Sequence, residues 1–258
     1  MNTQRTNVHQ GHWILARMGK KVLRPGGRDL TARLINALNI RETDDIVEFA
    51  PGLGFTASLA LRRSPRSYVG IELDETAAAN LKKVIDGETR RIINTSAADT
   101  RLGENSKDKV YGEAMLTMQA DHRKSEIIRE ARRILKQGGL YGIHELGLTP
   151  ENISETTKTN LLKELSQAIK VNARPLTVDE WSNLLETEGF TIVSVDTNSM
   201  QLLEPARIIH DEGFLRTARI LFNIATHPKE RKRILAMRRA FRKYGQHLNA
   251  VAIVARKL

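Results

Sequence analysis

The 258-residue sequence contains no cysteine. This absence excludes disulfides, thiolate metal sites and every mechanism that needs a cysteine nucleophile. Long apolar runs are also missing, so we expect no membrane span. The segment from Met1 to Gln10 is polar and lacks the apolar centre of a secretion signal. Together these absences predict a cytoplasmic protein.

Acidic residues are fewer than basic ones: the sequence contains 30 Asp and Glu and 41 Lys and Arg, which give a net charge of +11. Much of the excess lies in residues 227–247, where eight basic residues accompany one acid, Glu230. Ile234 and Met237 recur there at helical spacing, which predicts an amphipathic helix with a solvated basic face. A phosphate-binding surface for nucleic acid is the weaker interpretation of this segment.

The most informative segment runs from Asp45 to Ala57. It predicts a buried strand containing Glu48, a glycine turn and the start of a helix. A second apolar run ends in Glu72, eighteen residues after Gly54. This pattern also fits the dinucleotide fingerprint. However, Glu48 brings an anion to the turn, and Pro51 removes one N–H group that could hold a phosphate, so a pyrophosphate is disfavoured.

The two acids suit a ligand with a ribose at one end and an ammonium and a sulfonium at the other. Glu72 can accept hydrogen bonds from the ribose hydroxyls, while Glu48 can lie near the positive charge. At this point the chain resembles the class I S-adenosylmethionine-dependent methyltransferases. Ala50 stands where that family usually has glycine, and its methyl group is tolerated if the backbone there needs no positive φ.

Two further segments extend the resemblance, which covers about residues 45–145. The run from Ile92 to Asp99 is similar to the family's third strand, and Asp99 stands where the family bonds the adenine amino group. The run from Arg132 to Glu145 resembles its helix, Gly-Gly turn and fifth strand. The resemblance implies S-adenosylmethionine as cofactor, S-adenosylhomocysteine as product and no metal. The cofactor-binding residues that it implies are Glu48, Ala50, Pro51, Gly52, Gly54, Glu72, Leu73, Ala98, Asp99 and Glu113.

Alternating apolar strands and amphipathic helices predict an α/β fold. We expect a Rossmann-like, doubly wound and mostly parallel seven-stranded sheet with helical cap additions, and a ligand at the carboxyl edge. Residues 1–44 are predicted to form N-terminal helices and a lid, and residues 45–258 the methyltransferase core. Cap helices are expected near 148–188 and 200–246. The predicted strands lie near 45–49, 67–72, 91–96, 109–115, 139–144, 190–195 and 248–255.

Methyl transfer from a sulfonium is an in-line displacement, so alignment and desolvation can supply much of the acceleration. An acceptor that loses a proton also needs a base. The candidates are His144 and Glu145, at the end of the fifth strand, and Glu113, at the end of the fourth. Each has a structural alternative: a histidine bonded to a cap helix, an acid that orients a loop, and a buried acid bonded to backbone.

The leading hypothesis is a methyltransferase for a small-molecule acceptor. RNA or DNA methylation is the first alternative, because residues 227–247 are basic and the first motif is similar to that of ribosomal RNA adenine dimethyltransferases. Those enzymes bind the adenine amino group with a motif after the fourth strand. The corresponding residues here, Gly112-Glu113-Ala114-Met115, do not match that motif. A non-catalytic protein that binds the cofactor or a partner is the second alternative, and a nicotinamide dehydrogenase is more distant. Assembly into a homo-oligomer stays open.

Overall fold

The structure is a computed structural model that describes residues 11–258, and it is built around one sheet. Each strand is a short apolar run that ends at a turn. The strands are Asp45–Phe49 (β1), Ser67–Glu72 (β2), Arg90–Asn94 (β3), Lys107–Glu113 (β4), Leu135–Leu148 (β5), Leu176–Thr177 (β6), Phe190–Ser199 (β7) and Leu248–Lys257 (β8).

The strand order is β3-β2-β1-β4-β5-β8-β7, and the two-residue β6 pairs with β5 outside this path. Strands β1 to β5 are parallel, while β8 runs antiparallel to both β5 and β7. The carboxyl ends of β1, β2, β4 and β5 therefore open on the same edge. The predicted Rossmann-like, mostly parallel α/β fold is confirmed, with β6 as a small addition.

Helices cover both faces of the sheet. One core places the helices Gly27–Leu38 and Phe55–Leu61 against Ile46 and Tyr68. The other packs the helices Asp121–Ile134 and Val178–Thr187 against Val47 and Phe49. Since neighbouring strand residues point to opposite faces, Glu48 lies on the same face as Ile46. The helices are Gly11–Arg17 (α1), Gly27–Leu38 (α2), Phe55–Leu61 (α3), Glu75–Ile85 (α4), Asp121–Ile134 (α5), Glu155–Ile169 (α6), Val178–Thr187 (α7), Pro205–Glu212 (α8), Phe214–Thr226 (α9) and Pro228–Lys243 (α10).

Several elements end at other residues than the sequence predicts. β4 stops at Glu113 because Ala114 has φ +52°, which a strand cannot contain. β3 stops at Asn94, two residues early, and a turn follows that pairs Ser96 with Asp99. β5 begins earlier than expected, because the predicted Gly-Gly turn forms a bulge within the strand, with Gly138 at φ +74°.

The segments after β5 and β7 contribute α6 and α7, then α8 to α10. α1 and α10 share a small apolar cluster with Leu202 and Leu203, and a second cluster joins α6 to Leu146 and Leu148 of β5. Within residues 11–258, no helix has both the length and the apolar character needed to cross a membrane. The part of the predicted lid that falls on residues 1–10 lies outside the described residues.

Candidate functional site

The turn after β1 has the geometry of a ligand cradle. Gly52 and Gly54 have φ values of +58° and +74°, and the N–H of Gly54 donates to the carbonyl of Pro51 at 2.9 Å. Ala50 also has a positive φ, +52°, so the condition under which an alanine fits without strain is not met there. The turn keeps its left-handed shape at position 50 at the expense of that strain.

Glu72 lies directly beside this turn. One of its carboxylate oxygens accepts from the N–H of Gly52 at 3.0 Å, and the other accepts from the N–H of Asp74 at 3.0 Å. Burial raises the pKa of Glu72, and these backbone hydrogen bonds oppose the rise. The next side chain, Leu73, is 58% exposed. This pair fits a nucleoside, because the carboxylate can accept hydrogen bonds from ribose hydroxyls while the exposed leucine packs against a flat base.

Ala98 and Asp99 belong to the turn that follows β3, at the same edge of the sheet. The hydroxyl of Ser96 accepts from the N–H of Ala98 at 3.1 Å, and the N–H of Asp99 donates to the carbonyl of Ser96 at 3.0 Å. Asp99 itself is exposed. Its position, two strands away from the glycine turn, leaves its carboxylate open to a ligand.

Glu48 is buried beneath the turn, between two tyrosines. Its Oε2 accepts from the hydroxyl of Tyr68 at 2.7 Å and from that of Tyr111 at 2.9 Å. Burial raises the pKa of Glu48 to about 7; the tyrosine hydrogen bonds lower it, and the nearby charge of Glu113 adds to the rise. Neither tyrosine was predicted from the sequence; they come from β2 and β4, the strands on either side of β1.

Four side chains contact the carboxylate of Glu113, at the end of β4. Oε2 accepts from Arg24 at 2.6 Å and from Thr56, while Oε1 contacts Thr31 and His144, each at 2.7 Å. Burial by itself would raise the pKa of Glu113, but Arg24, His144 and Thr56 more than offset it and bring it to about 2. The carboxylate is therefore ionised at neutral pH.

His144 is completely buried, and both of its ring nitrogens are engaged. Nε2 lies 2.6 Å from the carbonyl oxygen of Pro25, which can only accept, so Nε2 carries a hydrogen. Nδ1 faces the ionised Glu113 at 2.7 Å, and in this arrangement it donates as well. His144 thus holds the segment before α2 onto the sheet through its contacts with Pro25 and Glu113.

Glu145 faces the opposite side of β5 and holds the loop after β4. Its carboxylate accepts from three successive backbone N–H groups, those of Met115, Leu116 and Thr117, at 2.8 to 3.0 Å. The hydroxyl of Thr117 adds a fourth hydrogen bond at 2.7 Å. Glu113 and His144 are thus brought into contact, whereas Glu145 is directed to a separate set of partners.

Residues 20–26 form an irregular strap between α1 and α2. At the start of the strap, Glu212 Oε1 accepts from the N–H groups of Lys21 and Val22, both at 2.8 Å. Just after the strap, in the first turn of α2, Asp211 accepts from the N–H of Arg28 at 3.2 Å. In the middle of the strap, Arg24 reaches Glu113 and Thr56 and stacks over Phe55 at 5.3 Å.

The role of Arg24 in the site is not evident from the sequence. The only local signal is the turn Pro25-Gly26-Gly27 that follows it, where both glycines have positive φ. A side chain on Gly27 would collide with the carboxylate of Asp211 at 2.6 Å. This close approach seats the start of α2 against α8.

The residues at the edge fit an adenosine-containing cofactor. The backbone of Gly52 is open, whereas Gly54 lies close to Leu81 of α4. Glu72 is placed for two hydroxyls, and Leu73 and Asp99 are exposed on neighbouring loops. Among the described residues, no group of His, Asp and Glu side chains is arranged to hold a metal ion.

Comparison with known proteins agrees with this site. A family model described as a methyltransferase domain matches residues 47–143, which include the glycine turn, Glu72, Asp99 and Glu113. Residues 47–143 therefore form a methyltransferase domain whose cofactor is S-adenosylmethionine. An uncharacterised protein of Haemophilus influenzae is 31% identical over 251 residues, which cover 96% of this chain and 98% of the relative.

A shorter match is with ribosomal RNA small subunit methyltransferase A of Cupriavidus metallidurans. It is 34% identical over 79 residues, which are 31% of this chain and 27% of that protein. A match over less than a third of either chain leaves the acceptor undetermined.

Three similar solved structures share the fold. The MccD protein has a TM-score of 0.69 at 21% identity, over 91% of this chain and 99% of that one. The [4+2]-cyclase SpnF has a TM-score of 0.74 at 16% identity, over 100% and 97%. Phosphoethanolamine N-methyltransferase 2 of Haemonchus contortus, in complex with S-adenosylmethionine, has a TM-score of 0.72 at 15% identity, over 98% of this chain and 58% of that one.

Proposed function

We propose that this chain transfers a methyl group from S-adenosylmethionine to a small-molecule acceptor held beneath the strap and the cap helices. The observation that carries the proposal is the strap itself, because Arg24 and Pro25 bind Glu113 and His144 at the carboxyl end of the sheet. A strap that folds over this edge restricts the approach of a polymeric acceptor and so favours a small one.

In this proposal, the cofactor is held by the residues at the glycine turn and the two loops beside it. Glu72 accepts from the ribose hydroxyls, Leu73 packs against the base, Asp99 accepts from its amino group, and Gly52 and Gly54 let the backbone approach. Ala50, Pro51 and Ala98 shape the same wall, and Glu48 lies beneath it, held between Tyr68 and Tyr111. The bound cofactor provides an activated methyl group on a sulfonium.

We assign positioning roles to the three candidate catalytic residues. Glu113 and His144 are already bonded to each other and to the strap, so they fix the wall against which the acceptor lies. Glu145 fixes the loop after β4. Acceleration would then come from in-line alignment in a site from which water is excluded, without a dedicated base.

RNA is the second candidate acceptor, because the partial match to a ribosomal RNA methyltransferase and the basic residues 227–247 both favour it. Three of those basic side chains already have acidic partners. Arg238 and Arg242 pair with Glu204, and Lys243 pairs with Glu164. These pairs reduce the charge left for phosphates and favour the small-molecule proposal.

Titration calorimetry tests the cofactor site. We expect Glu72→Gln to weaken binding of S-adenosylmethionine by roughly tenfold to a hundredfold, since it removes charge-assisted hydrogen bonds. Glu75→Gln, at an exposed position in the first turn of α4, is the matched control and should bind like the wild type. Equal binding by all three proteins would contradict the assignment of Glu72.

A labelling experiment tests the acceptor. The protein is incubated with S-adenosylmethionine that carries a radioactive methyl group and with a cell extract separated into small-molecule and RNA fractions. We expect label in the small-molecule fraction, and Glu72→Gln measures the background. Label confined to RNA would overturn the proposal. Intact cofactor binding with no label in any fraction would instead favour the non-catalytic alternative.

A further inference from the structure

α9 has one apolar face that the described part of the chain leaves uncovered. Its members recur at helical spacing and therefore form one stripe along about 20 Å of helix. Phe214, Leu215 and Phe222 are 74%, 85% and 67% exposed. The α9 stripe consists of Phe214, Leu215, Ala218, Leu221, Phe222 and Ala225.

The inner face of α9 is already occupied, so the stripe is not the side that packs on the protein. Thr217 and Ile220 are buried, and the side chain of Asn223 donates to the carbonyl of Met18 at 3.0 Å. Large apolar side chains at such exposure normally mark a contact with something else.

The surroundings of the stripe are strongly basic. From Phe214 to Lys243 there are ten Lys and Arg and a single acid, Glu230. Three of the ten, Arg238, Arg242 and Lys243, pair with Glu204 and Glu164 from outside this segment. α9 itself contains no acid and carries Arg216 and Arg219, while Lys229 and Lys232 are exposed at the start of α10. A helix with large apolar side chains on one face and cations beside it is suited to an anionic lipid surface.

The shape of the stripe distinguishes a bilayer from other occupants. Side chains exposed by two thirds or more protrude as a ridge, and a protein partner would have to offer a matching groove. The interface of a bilayer accommodates a ridge without one. A second copy of the same chain would bring another ten cations toward the first, and their repulsion disfavours it.

We propose that α9 is a membrane-docking helix, which inserts the α9 stripe into the interface of an anionic bilayer while the basic residues around it contact lipid headgroups. This goes beyond the proposed methyl transfer and does not depend on it. α9 holds Met18, just before the strap, so docking would place the strap and the sheet edge beside the lipid surface.

Vesicle co-sedimentation tests the proposal. We expect the wild type to bind vesicles of phosphatidylcholine with 30 mol% phosphatidylglycerol, roughly tenfold or more better than phosphatidylcholine alone. The variant Phe214→Ser/Leu215→Ser/Phe222→Ser should lose binding by about a hundredfold or more, because it removes three inserted side chains. Val84→Ser, at a position 79% exposed on α4, is the matched control and should bind normally. Circular dichroism checks that all variants fold.

The absence of cysteine allows a second measurement that does not depend on the triple variant. A single Phe222→Cys, labelled with an environment-sensitive fluorophore, should shift to the blue on addition of anionic vesicles, and Val84→Cys should not. Unchanged binding by the triple variant would overturn the proposal. A label at position 222 that is already blue-shifted without vesicles would also overturn it, because another part of the chain or a second copy would then cover the stripe.

Discussion

Arg24 and Glu113 form an ion pair that fastens the strap to the end of β4. Arg24 Nη1 lies 2.6 Å from Glu113 Oε2, and the two side chains are only 12% and 4% exposed. The residues are 89 positions apart in the sequence. Because Thr31, Thr56 and His144 bind the same carboxylate, this pair is the centre of a buried network.

Loss of Arg24 should be costly. Arg24→Ala leaves the buried Glu113 without its cation, and we expect the free energy of unfolding in urea to fall by about 3 to 5 kcal/mol. Arg33→Ala is the control, because Arg33 pairs with Asp196 at 3.6 Å on the exposed surface and should cost no more than about 1 kcal/mol. Similar small losses in both variants would show that the Arg24 pair contributes little.

Ala50 offers a stabilising substitution. Its φ of +52° costs an L-residue about 1 to 2 kcal/mol, whereas glycine adopts it freely but loses more entropy on folding. Ala50→Gly should therefore raise the urea midpoint, with a net gain of up to about 1 kcal/mol. Ala79→Gly, in the interior of α4, should lower it by about 1 kcal/mol. A drop in midpoint for both glycines would refute the strain at position 50.

Glu48 should give the folded protein a distinctive dependence on pH. Its pKa is about 7 in the folded state, whereas a free glutamate titrates near 4.5. Between these values only the folded state holds the proton, so the free energy of unfolding should fall as pH rises from about 4.5 to about 7. Glu113, with a pKa of about 2, stays ionised throughout this window and cannot cause that slope.

Glu48→Gln tests this dependence, because its amide oxygen can still accept from Tyr68 and Tyr111. We expect the variant to be more stable than the wild type at pH 8, by up to about 3 kcal/mol, and to lose this advantage near pH 4.5. The exposed Glu42→Gln should change stability by less than about 0.5 kcal/mol at either pH. A Glu48→Gln advantage that does not vary with pH would disprove the assigned cause.

Glu145 should prove essential to the loop after β4. Glu145→Ala leaves three buried N–H groups without an acceptor, and we expect a loss of at least about 3 kcal/mol in urea unfolding. The control is Glu151→Ala, because the exposed Glu151 accepts from the N–H groups of Val178 and Asp179 at 3.2 Å, and water can replace it. Comparable losses in the two variants would argue against a dominant role for Glu145.

Local sequence patterns predict most of this fold. Apolar runs and amphipathic periods are local, so the sheet and most of its helices follow from them. The bounds of β3 and β4 do not, because they depend on the turn after Asn94 and on the positive φ of Ala114. Predictions for the domain division, the individual site residues and the oligomeric state stay predictions.

The sequence by itself determined at which edge of the sheet we expect the cofactor. The glycine turn follows β1 and Glu72 ends β2, and parallel strands place both at the same edge of the sheet. Only the tertiary structure decided what surrounds Glu113 and Glu48. Arg24, His144, Tyr68 and Tyr111 reach these acids from distant parts of the chain, and no local period encodes such contacts. Burial raises the pKa of both acids, but Arg24, His144 and Thr56 reverse the shift at Glu113, so two acids that look alike in the sequence have pKa values of about 7 and about 2.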